Sequence, residues 1–479
     1  MRKKEGNMHK VKRIHFVGIK GVGMTPLAII AKEAGIDVSG SDVEEKFITD
    51  VALERKHIKP LVGFLPEHIS QGIDLVITTG AHNGYDNPEV VRALDLGIPV
   101  MSAGEAVGEF MDGEILGKKL IGISVAGSHG KTTTTAMLTT ILKENNMDPS
   151  YLIGTGSFGD KLPGHFGKGN YFIAEADEYA TEPKHDRKAR FLWQRPQYAI
   201  FTNIEHDHPD IYPTLENVIA VFKQFASKMP RNGVLVGNGD DERVFAILKD
   251  APCKTISYGF SPKNTYVITN VHVSGEQTFF RVSQKDVDLG EFRISVTGEH
   301  NALNALGATL LALEAGVPLE RIKAVLGKFK GSKRRLEYKG QLVSGAHVFD
   351  DYAHHPTEIR STLKSLRARY PQSTLIAIFQ PHTFSRTKTL LQDFVTAFDQ
   401  AHNVIITDIF PSAREAIDPT ISSKLLVDKL TLRHPAALYI AKPEQVAELL
   451  SKERLKDNVT IVFMGAGDIY KSIDLLPFN

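Results

Sequence analysis

A glycine-rich loop between a strand and a helix constrains the fold of this chain more than any other feature. The loop reads Ala126-Gly-Ser-His-Gly-Lys-Thr-Thr133; the apolar run at 120–126 predicts a buried strand, and residues 131–144 predict a helix. Glycines let backbone N–H groups turn toward anionic oxygens, and a helix N-terminus adds partial positive charge. Lys131 suits the β- and γ-phosphates of ATP, and the Thr132 hydroxyl suits Mg²⁺. The sequence therefore predicts a phosphate-binding strand–loop–helix unit.

Apolar runs alternate with helical stretches along all 479 residues, which is typical of parallel sheets covered by helices. Strands are predicted in three groups, at 13–19, 37–41, 75–79 and 100–101, then at 120–126, 171–174, 198–202 and 234–237, then at 347–349, 374–379, 403–407 and 459–464. A β-rich stretch at 254–297 predicts an antiparallel extension. We therefore predict an α/β protein of three domains: a Rossmann-like domain at 1–118, a central P-loop ATPase-like parallel sheet at 119–331 and a C-terminal Rossmann-like domain at 332–479.

The composition excludes several classes of protein. Hydrophobic residues make up 42% and charged residues 24%, which is typical of a globular protein rather than a disordered one. Lys and Arg number 57 against 56 Asp and Glu, so charge gives no reason to expect a nucleic-acid or membrane partner. The single cysteine, Cys253, excludes internal disulfides and multi-cysteine metal sites, and no role for it is evident. No run of ~18 apolar residues predicts a membrane helix, so we expect a cytoplasmic protein.

Seven further motifs accompany the loop, which is the short form G-x-x-G-K-T because Val125 stands where the general pattern has glycine. In chain order, the eight are Gly18-Ile-Lys-Gly-Val-Gly-Met24, Gly127-Ser-His-Gly-Lys-Thr-Thr-Thr134, Glu175-Ala-Asp-Glu178, Asn203-Ile-Glu-His-Asp-His208, Gly298-Glu-His-Asn-Ala-Leu-Asn304, Arg334-Arg335, Asp350-Asp-Tyr-Ala-His-His-Pro356 and Phe379-Gln-Pro-His382. Together they resemble the Mur ligases, which build the peptide of bacterial cell-wall precursors. Within that family the chain resembles the branch that joins L-alanine to UDP-N-acetylmuramate in peptidoglycan synthesis.

The resemblance implies an ATP site. Its expected residues are Gly127, Ser128, His129, Gly130, Lys131, Thr132, Thr133, His300, Asn301, Asn304, Arg335 and Asp351. Asn301 and Asn304 share one helix face, where amides can read an adenine edge, although Asn301 can instead cap the helix. Arg335 would neutralise phosphate charge and Asp351 would hold the ribose, whereas Arg334 is expected to be a solvated neighbour.

A metal set and a sugar-nucleotide site are also expected. Glu175 and His208 follow the predicted strands at 171–174 and 198–202, and the carboxyl ends of parallel strands emerge at one edge of the sheet. Mg²⁺ prefers oxygen ligands, so His208 taken alone would be a loop histidine, and only the resemblance adds it to Thr132 and Glu175 as a metal ligand. The loop after the first strand would cradle the diphosphate of the UDP-sugar, through Gly18, Gly21, Gly23 and Met24. Asp42, at the end of the second strand, would bond the ribose or a base edge. Lys20 stands at a position where similar ligases usually carry glycine. It would either contact the diphosphate or face solvent, and we expect solvent.

The chemistry implied by the resemblance is an amide ligation through an acyl phosphate, and the chain is expected to act as a monomer or homodimer. The expected catalytic residues are Lys131, Glu175, His208, His354 and Arg386, and the amino-acid site would contain Tyr352, His354, His382 and Arg386. Arg386 would pair with a carboxylate. The general base stays open among His129, His354 and His382.

Other interpretations remain open. Thr383 stands where the alanine-adding branch commonly has arginine. Residues 101–105 also lack the arginine that is usual in the sugar-nucleotide loop of that branch. The basic run Lys184–Arg190 resembles a segment of the recycling branch, which attaches a whole peptide to the same sugar nucleotide, but it can equally be a solvated face. A nucleotide-binding module without catalysis and an NAD-dependent oxidoreductase are the remaining alternatives. The NAD-dependent oxidoreductase is disfavoured by the Lys-Thr loop and by the absence of a G-x-G-x-x-G motif after the first strand.

Overall fold

The structure, a computed structural model, describes residues 11–411, 415–452 and 458–479. It divides into two compact units. The first contains residues up to Ile204, Ile219–Tyr258 and Gly307–Val325, and the second contains Glu205–Val218, Gly259–Leu306 and Leu326–Asn479. Within the described part of the chain, no helix is both long and apolar enough to cross a membrane.

The first unit begins with a five-stranded parallel sheet in the order β3-β2-β1-β4-β5. The strands are β1 (Arg13–Val17), β2 (Asp37–Asp42), β3 (Leu61–Val62), β4 (Leu75–Thr78) and β5 (Val100–Ser102). The helices are α1 (Met24–Glu33), α2 (Asp50–Arg55), α3 (Pro88–Asp95) and α4 (Ala103–Asp112). Alternation of short apolar strands with helices explains the parallel order, because each helix returns the chain to the same end of the sheet.

A second sheet of this unit carries the phosphate loop. Its strands are β6 (Ile121–Ala126), β7 (Ser150–Leu152), β8 (Gly164–His165), β9 (Tyr171–Ala176), β12 (Tyr198–Phe201), β13 (Val234–Asn238) and β14 (Lys254–Gly259), and a separate hairpin contains β10 (Ala180–Glu182) and β11 (Asp186–Ala189). The order is β14-β13-β12-β6-β9-β7-β8, parallel except at β8. The helices with residues in this unit are α5 (Lys131–Glu144), α6 (Leu215–Ser227), α7 (Glu242–Asp250), α8 (Glu299–Glu314) and α9 (Leu319–Leu326), of which α6 and α8 begin in the second unit.

The second unit contains an antiparallel meander and a mostly parallel sheet. The meander is β15 (Tyr266–Ser274), β16 (Gln277–Gln284) and β17 (Val287–Ile294). The antiparallel extension predicted at 254–297 is thus found for these three strands, whereas β14, at the start of that stretch, pairs in parallel with β13. The sheet has the order β18-β19-β23-β20-β21-β22, with β18 antiparallel. Its elements are β18 (Glu337–Gln341), β19 (His347–Asp351), α10 (Pro356–Arg369), β20 (Thr374–Phe379), α11 (Phe384–Thr389), α12 (Leu391–Ala397), β21 (Asn403–Ile406), α13 (Ser423–Thr431), β22 (Ala437–Tyr439), α14 (Pro443–Lys452) and β23 (Val459–Met464).

The predicted α/β class with three parallel-sheet regions is confirmed. Predicted strand ends shift by a residue or two, and one shift matters for the site: β9 continues to Ala176, so Glu175 is its penultimate residue rather than the first residue after it. The boundaries proposed near residues 118 and 331 stay a prediction.

Candidate active site

The phosphate loop joins β6 to α5, where two glycines adopt conformations that other residues avoid. Gly127 has φ +141°, and a Cβ there would lie 1.9 Å from Thr202 Oγ1. Gly130, the residue before α5, has φ +84°. Lys131 therefore opens α5, and Thr132 and Thr133 follow in its first turn, where N–H groups favour anions.

Asn203 clamps this loop. Its backbone oxygen accepts the Ser128 N–H at 3.0 Å, and its Oδ1 accepts the His129 N–H at 2.9 Å. The Asn203 Nδ2 group donates to His129 O at 3.1 Å, and the Thr202 hydroxyl donates to the same oxygen at 2.6 Å. Asn203 begins one of the eight sequence motifs, but no role was predicted for it. Its position just after β12, the parallel neighbour of β6, was the available signal.

The Lys131 ammonium is held by three oxygens. It donates to Gly127 O at 2.5 Å, to Ser128 O at 3.3 Å and to Glu178 Oε2 at 2.8 Å. Burial opposes the charge, but the neighbouring carboxylates, Glu178 foremost, raise the pKa of Lys131 above its usual value. The lysine therefore stays charged in a largely shielded position. Glu178 is a second motif residue for which no role was predicted.

Glu175 and Thr132 lie side by side. Glu175 sits on β9, opposite Val125 of β6, so the carboxylate emerges beside the loop. The Thr132 hydroxyl donates to Glu175 Oε2 at 3.0 Å, and the Gly154 N–H donates to Glu175 Oε1 at 2.7 Å. A hydroxyl and a carboxylate are ligands of the kind that Mg²⁺ prefers, so this pair fits the expected ion. His208 belongs to the second unit, and its role as a third ligand stays a prediction.

The loop after β1 is organised by Asp42. Its carboxylate accepts the Lys20 N–H at 2.7 Å and the Val43 N–H at 2.8 Å, and burial raises the pKa of Asp42. The expectation that Lys20 faces solvent is wrong: the side chain is buried, because its Nζ donates to Val43 O and Glu45 O, each at 2.9 Å. Asp42 thus holds the loop itself, and its contact with a ribose stays a prediction.

Of the four loop residues predicted to bind the UDP-sugar, Gly18 has an evident steric reason for its type, whereas Gly23 has none. Gly18 has φ +78°, and a Cβ there would lie 2.5 Å from a methyl carbon of Thr79. The Gly21 oxygen accepts the N–H of Met24, which starts α1, at 2.9 Å. Nothing lies within 4 Å of a Cβ built on Gly23, so that position has no steric need for glycine.

In the second unit, the three residues expected at the adenine lie in the first turns of α8. The Asn301 amide donates to Thr297 O at 2.8 Å, and the Asn304 amide donates to Asn301 Oδ1 at 3.2 Å. The two amides therefore share a face of the helix, as their spacing predicted. The Asn301 side chain also ties the start of α8 to the segment just before it, through the bond to Thr297 O. Burial lowers the pKa of His300 to about 4, so its ring is neutral at pH 7.

Asp351 ends β19 as a buried carboxyl. It accepts the Thr362 hydroxyl at 2.8 Å and the Ala353 N–H at 3.0 Å, and burial raises its pKa to about 6. Arg335 places its guanidinium 5.0 Å from the Tyr352 ring centre. Roles of these residues toward ATP or the amino acid stay predictions.

Arg334 is not the solvated neighbour that was expected. Its side chain is buried, its Nη2 donates to Gly465 O at 2.5 Å, and its Nε lies 3.4 Å from Asp350. Arg334 also has a φ of +57°, a backbone conformation that the sequence alone did not indicate.

Arg386 is paired with a carboxylate of the protein. Its Nη2 lies 2.7 Å and its Nε 2.8 Å from Asp207 Oδ1, and both side chains are buried. Burial would raise the pKa of Asp207, but the guanidinium holds it well below its usual range. Asp207 also accepts the backbone N–H of His208 at 2.7 Å. The expected pairing of Arg386 with the amino acid's carboxylate stays a prediction, and Asp207 was missed.

Two histidines flank Arg386. The His382 Nδ1 lies 3.2 Å from Arg386 Nη1, and the His354 and His382 rings lie 6.0 Å apart. Burial lowers the pKa of His354 to about 4 and that of His382 well below its usual value. Both rings are therefore neutral at pH 7, the state in which an imidazole accepts a proton.

The basic run is not simply a solvated face. Its Lys188 places Nζ 3.1 Å from the Trp193 ring centre, and Arg190 donates to Asp177 at 2.9 Å. Cys253 lies directly before β14 and is partly buried, which raises the pKa of its thiol.

Comparison with known proteins accounts for nearly all of the described chain. Models of the Mur ligase family match residues 13–114 (catalytic domain), 125–312 (middle domain) and 334–467 (glutamate ligase domain). A curated UDP-N-acetylmuramate–L-alanine ligase of Desulfitobacterium hafniense is 41% identical over 96% of this chain and 98% of its own length.

Two solved structures are also similar. The UDP-N-acetylmuramate-alanine ligase of Thermotoga maritima has a TM-score of 0.78 at 26% identity, over 96% of this chain and 97% of its own. A murein peptide ligase of Psychrobacter arcticus has a TM-score of 0.70 at 25% identity, over 97% of both chains.

Proposed function

The chain belongs to the Mur ligase family, and we propose that it is the ATP-dependent ligase that joins L-alanine to UDP-N-acetylmuramate in peptidoglycan precursor synthesis. The observation that carries the proposal is the set of Lys131, Thr132 and Glu175 at one edge of the central sheet. The Lys131 ammonium is held 2.8 Å from Glu178 Oε2, and the Thr132 hydroxyl lies 3.0 Å from Glu175 Oε2. This is the arrangement that phosphoryl transfer needs, a fixed cation beside oxygen ligands for a metal. We place the reaction in the cytoplasm, where ATP is supplied.

The first step is phosphoryl transfer to the lactyl carboxylate of UDP-N-acetylmuramate. A carboxylate oxygen attacks the γ-phosphorus of ATP, the bond to the β,γ-bridging oxygen breaks, and an acyl phosphate and ADP result. Lys131 and the first-turn N–H groups of α5 neutralise the charge that develops on the phosphate oxygens. Thr132 and Glu175 would hold Mg²⁺, which neutralises further phosphate charge when bound.

The second step forms the amide. The alanine nitrogen attacks the acyl carbon, the tetrahedral intermediate collapses, and inorganic phosphate leaves with the bonding electron pair. The attacking amine must be neutral, and His354 and His382 are neutral acceptors beside Arg386, the residue we propose for the alanine carboxylate. His129 remains a third candidate for the base.

The UDP part of the substrate is proposed to bind the loop after β1. Gly18 and Gly21 shape this loop and Asp42 fixes it through the Lys20 N–H, at the carboxyl end of a parallel sheet where such folds bind nucleotides. The protein is proposed to act as a monomer or homodimer.

A peptide-adding ligase is the second candidate. It is favoured by Thr383 in place of arginine and by the basic run Lys184–Arg190, and the similar murein peptide ligase shares the fold. L-alanine is the better candidate, because the D. hafniense relative is far more similar, at 41% identity.

The test is phosphate release by purified protein supplied with ATP, Mg²⁺ and UDP-N-acetylmuramate. We expect release only when an acceptor is added, and faster release with L-alanine than with L-serine, glycine or L-Ala-γ-D-Glu-diamino acid. Preference for the tripeptide would establish the second candidate instead. No release with any acceptor would leave a nucleotide-binding module, and oxidation of NADH would indicate an oxidoreductase.

A further inference from the structure

Glu178 is a buried carboxylate that contacts the lysine of the phosphate loop. Its Oε2 lies 2.8 Å from Lys131 Nζ, with the two side chains 1% and 15% exposed. Glu178 follows β9 by two residues, and Lys131 opens α5, so two adjacent strands bring the pair together. An ion pair that is this well shielded from water is costly to break by removing one partner.

The same lysine also donates to its own loop. An ammonium has three N–H donors, and the bonds to Gly127 O, Ser128 O and Glu178 Oε2 use all three. Lys131 can therefore reach β- and γ-phosphate oxygens only by giving up at least one of these partners. Two of them are neutral carbonyls of the loop, whereas Glu178 carries a negative charge that repels phosphate oxygens. Glu178 is thus the partner with which a triphosphate competes.

We propose that Glu178 is a positioning residue that holds Lys131 in the nucleotide-free protein and releases it to the triphosphate, so that this exchange sets the affinity for ATP. The inference rests on the proposed ATP-dependent function and adds a control element to the same site. When a binding group is available in only a fraction of the molecules, the apparent affinity falls by that fraction. The Lys131–Glu178 ion pair therefore lowers the affinity for ATP below the value that the phosphate loop would have without it. Re-formation of the ion pair after the reaction favours release of ADP.

Asp177 provides a matched control. It is the preceding residue and also stabilises the charge of Lys131 electrostatically. Its carboxylate, however, accepts hydrogen bonds from Arg190 Nη1 at 2.9 Å and from the Tyr179 N–H at 3.3 Å. Neutralising Asp177 therefore removes one negative charge near the loop without removing the direct partner of Lys131.

The experiment compares the full-length wild type with Glu178→Gln and Asp177→Asn. Isothermal titration calorimetry measures the dissociation constants of ATP and of inorganic triphosphate, in EDTA and in Mg²⁺. We expect Glu178→Gln to bind both ligands at least about tenfold more tightly, because a neutral amide competes less for the lysine. We expect Asp177→Asn to change affinity by less than about threefold, since screening weakens indirect charge effects.

Unchanged or weaker binding by Glu178→Gln overturns the inference, and so does equal tightening by Asp177→Asn. A purely structural role for Glu178 would lower the melting temperature without strengthening nucleotide binding. If Glu178→Gln does not fold, Glu178→Asp withdraws the carboxylate by one methylene, and we expect tightening by about twofold or more, with no tightening as the contrary result. If the wild type ligates but Glu178→Gln binds ATP with unchanged affinity, only this inference is overturned. If the wild type binds no ATP, the proposed function is overturned as well.

Discussion

The hydroxyl of Thr132 lies 3.0 Å from the Glu175 carboxylate, although 43 residues separate them in the chain. Thr132 sits in the first turn of α5, and Glu175 sits near the end of β9, which pairs in parallel with β6. Because parallel strands end at one edge, the loop after β6 and the acid on β9 meet there. Two oxygen ligands are thus presented beside a cation-bearing phosphate loop.

We predict that Thr132→Val and Glu175→Gln each raise the Mg²⁺ concentration needed for half-maximal activity by roughly tenfold or more. Thr132→Val removes an oxygen ligand, and Glu175→Gln replaces a charged carboxylate with a neutral amide, which is a weaker ligand. Initial rates of phosphate release at varied Mg²⁺ measure this. Thr140→Val is the control, since the Thr140 hydroxyl donates to Ala136 O within α5. An equal shift in the control variant would argue against the metal assignment.

Gly127→Ala should damage the phosphate loop. A side chain at φ +141° is strained, and its Cβ would lie 1.9 Å from Thr202 Oγ1. The matched control is Gly316→Ala, at φ +89°, where nothing lies within 4 Å of the added Cβ. We expect each variant to lose roughly 1–2 kcal/mol of unfolding free energy through its backbone, with a further loss and weakened ATP binding only for Gly127→Ala. Urea unfolding and ATP titration measure both; similar results at the two positions would contradict the prediction.

The buried pair of Arg386 and Asp207 should be sensitive to removal of one partner. We expect Asp207→Asn to lower the free energy of unfolding by about 3–5 kcal/mol, because it leaves the guanidinium buried without its carboxylate. Asp399→Asn breaks the exposed pair with Arg433 and should cost about 1 kcal/mol or less. Denaturant unfolding of the two variants provides the measurement, and comparable losses would show that burial does not matter here.

Acid should destabilise the protein in part through His354, whose pKa burial lowers from 6.5 to about 4. Between these values the unfolded chain binds a proton that the folded protein does not, so stability rises with pH from about 4 to about 6.5 and is lost as pH falls through that window. We expect His354→Gln to flatten the dependence by roughly 1–3 kcal/mol. Unfolding measured from pH 4 to 7 tests this, with exposed His272→Gln expected to leave the slope unchanged.

Local patterns predicted much of the fold. The helix predicted at 131–144 is α5 with the same ends, and the strands predicted at 374–379 and 459–464 are β20 and β23. These elements depend on short-range periodicity and on glycine, which are visible in the sequence. The proximity of Glu175 to the loop was predictable for the same reason, since strand order implies a shared edge.

What the sequence by itself determined is the type of each element and the identity of the groups available for phosphate and metal. What only the tertiary structure decided is which group pairs with which: Glu178 with Lys131, Asp207 with Arg386, and Asn203 with the loop amides. Residue type indicates that a buried charge needs a partner but not where along the chain the partner lies. That choice follows from strand order and burial, because desolvation makes an unpaired charge costly and leaves the nearest opposite charge as its counterion.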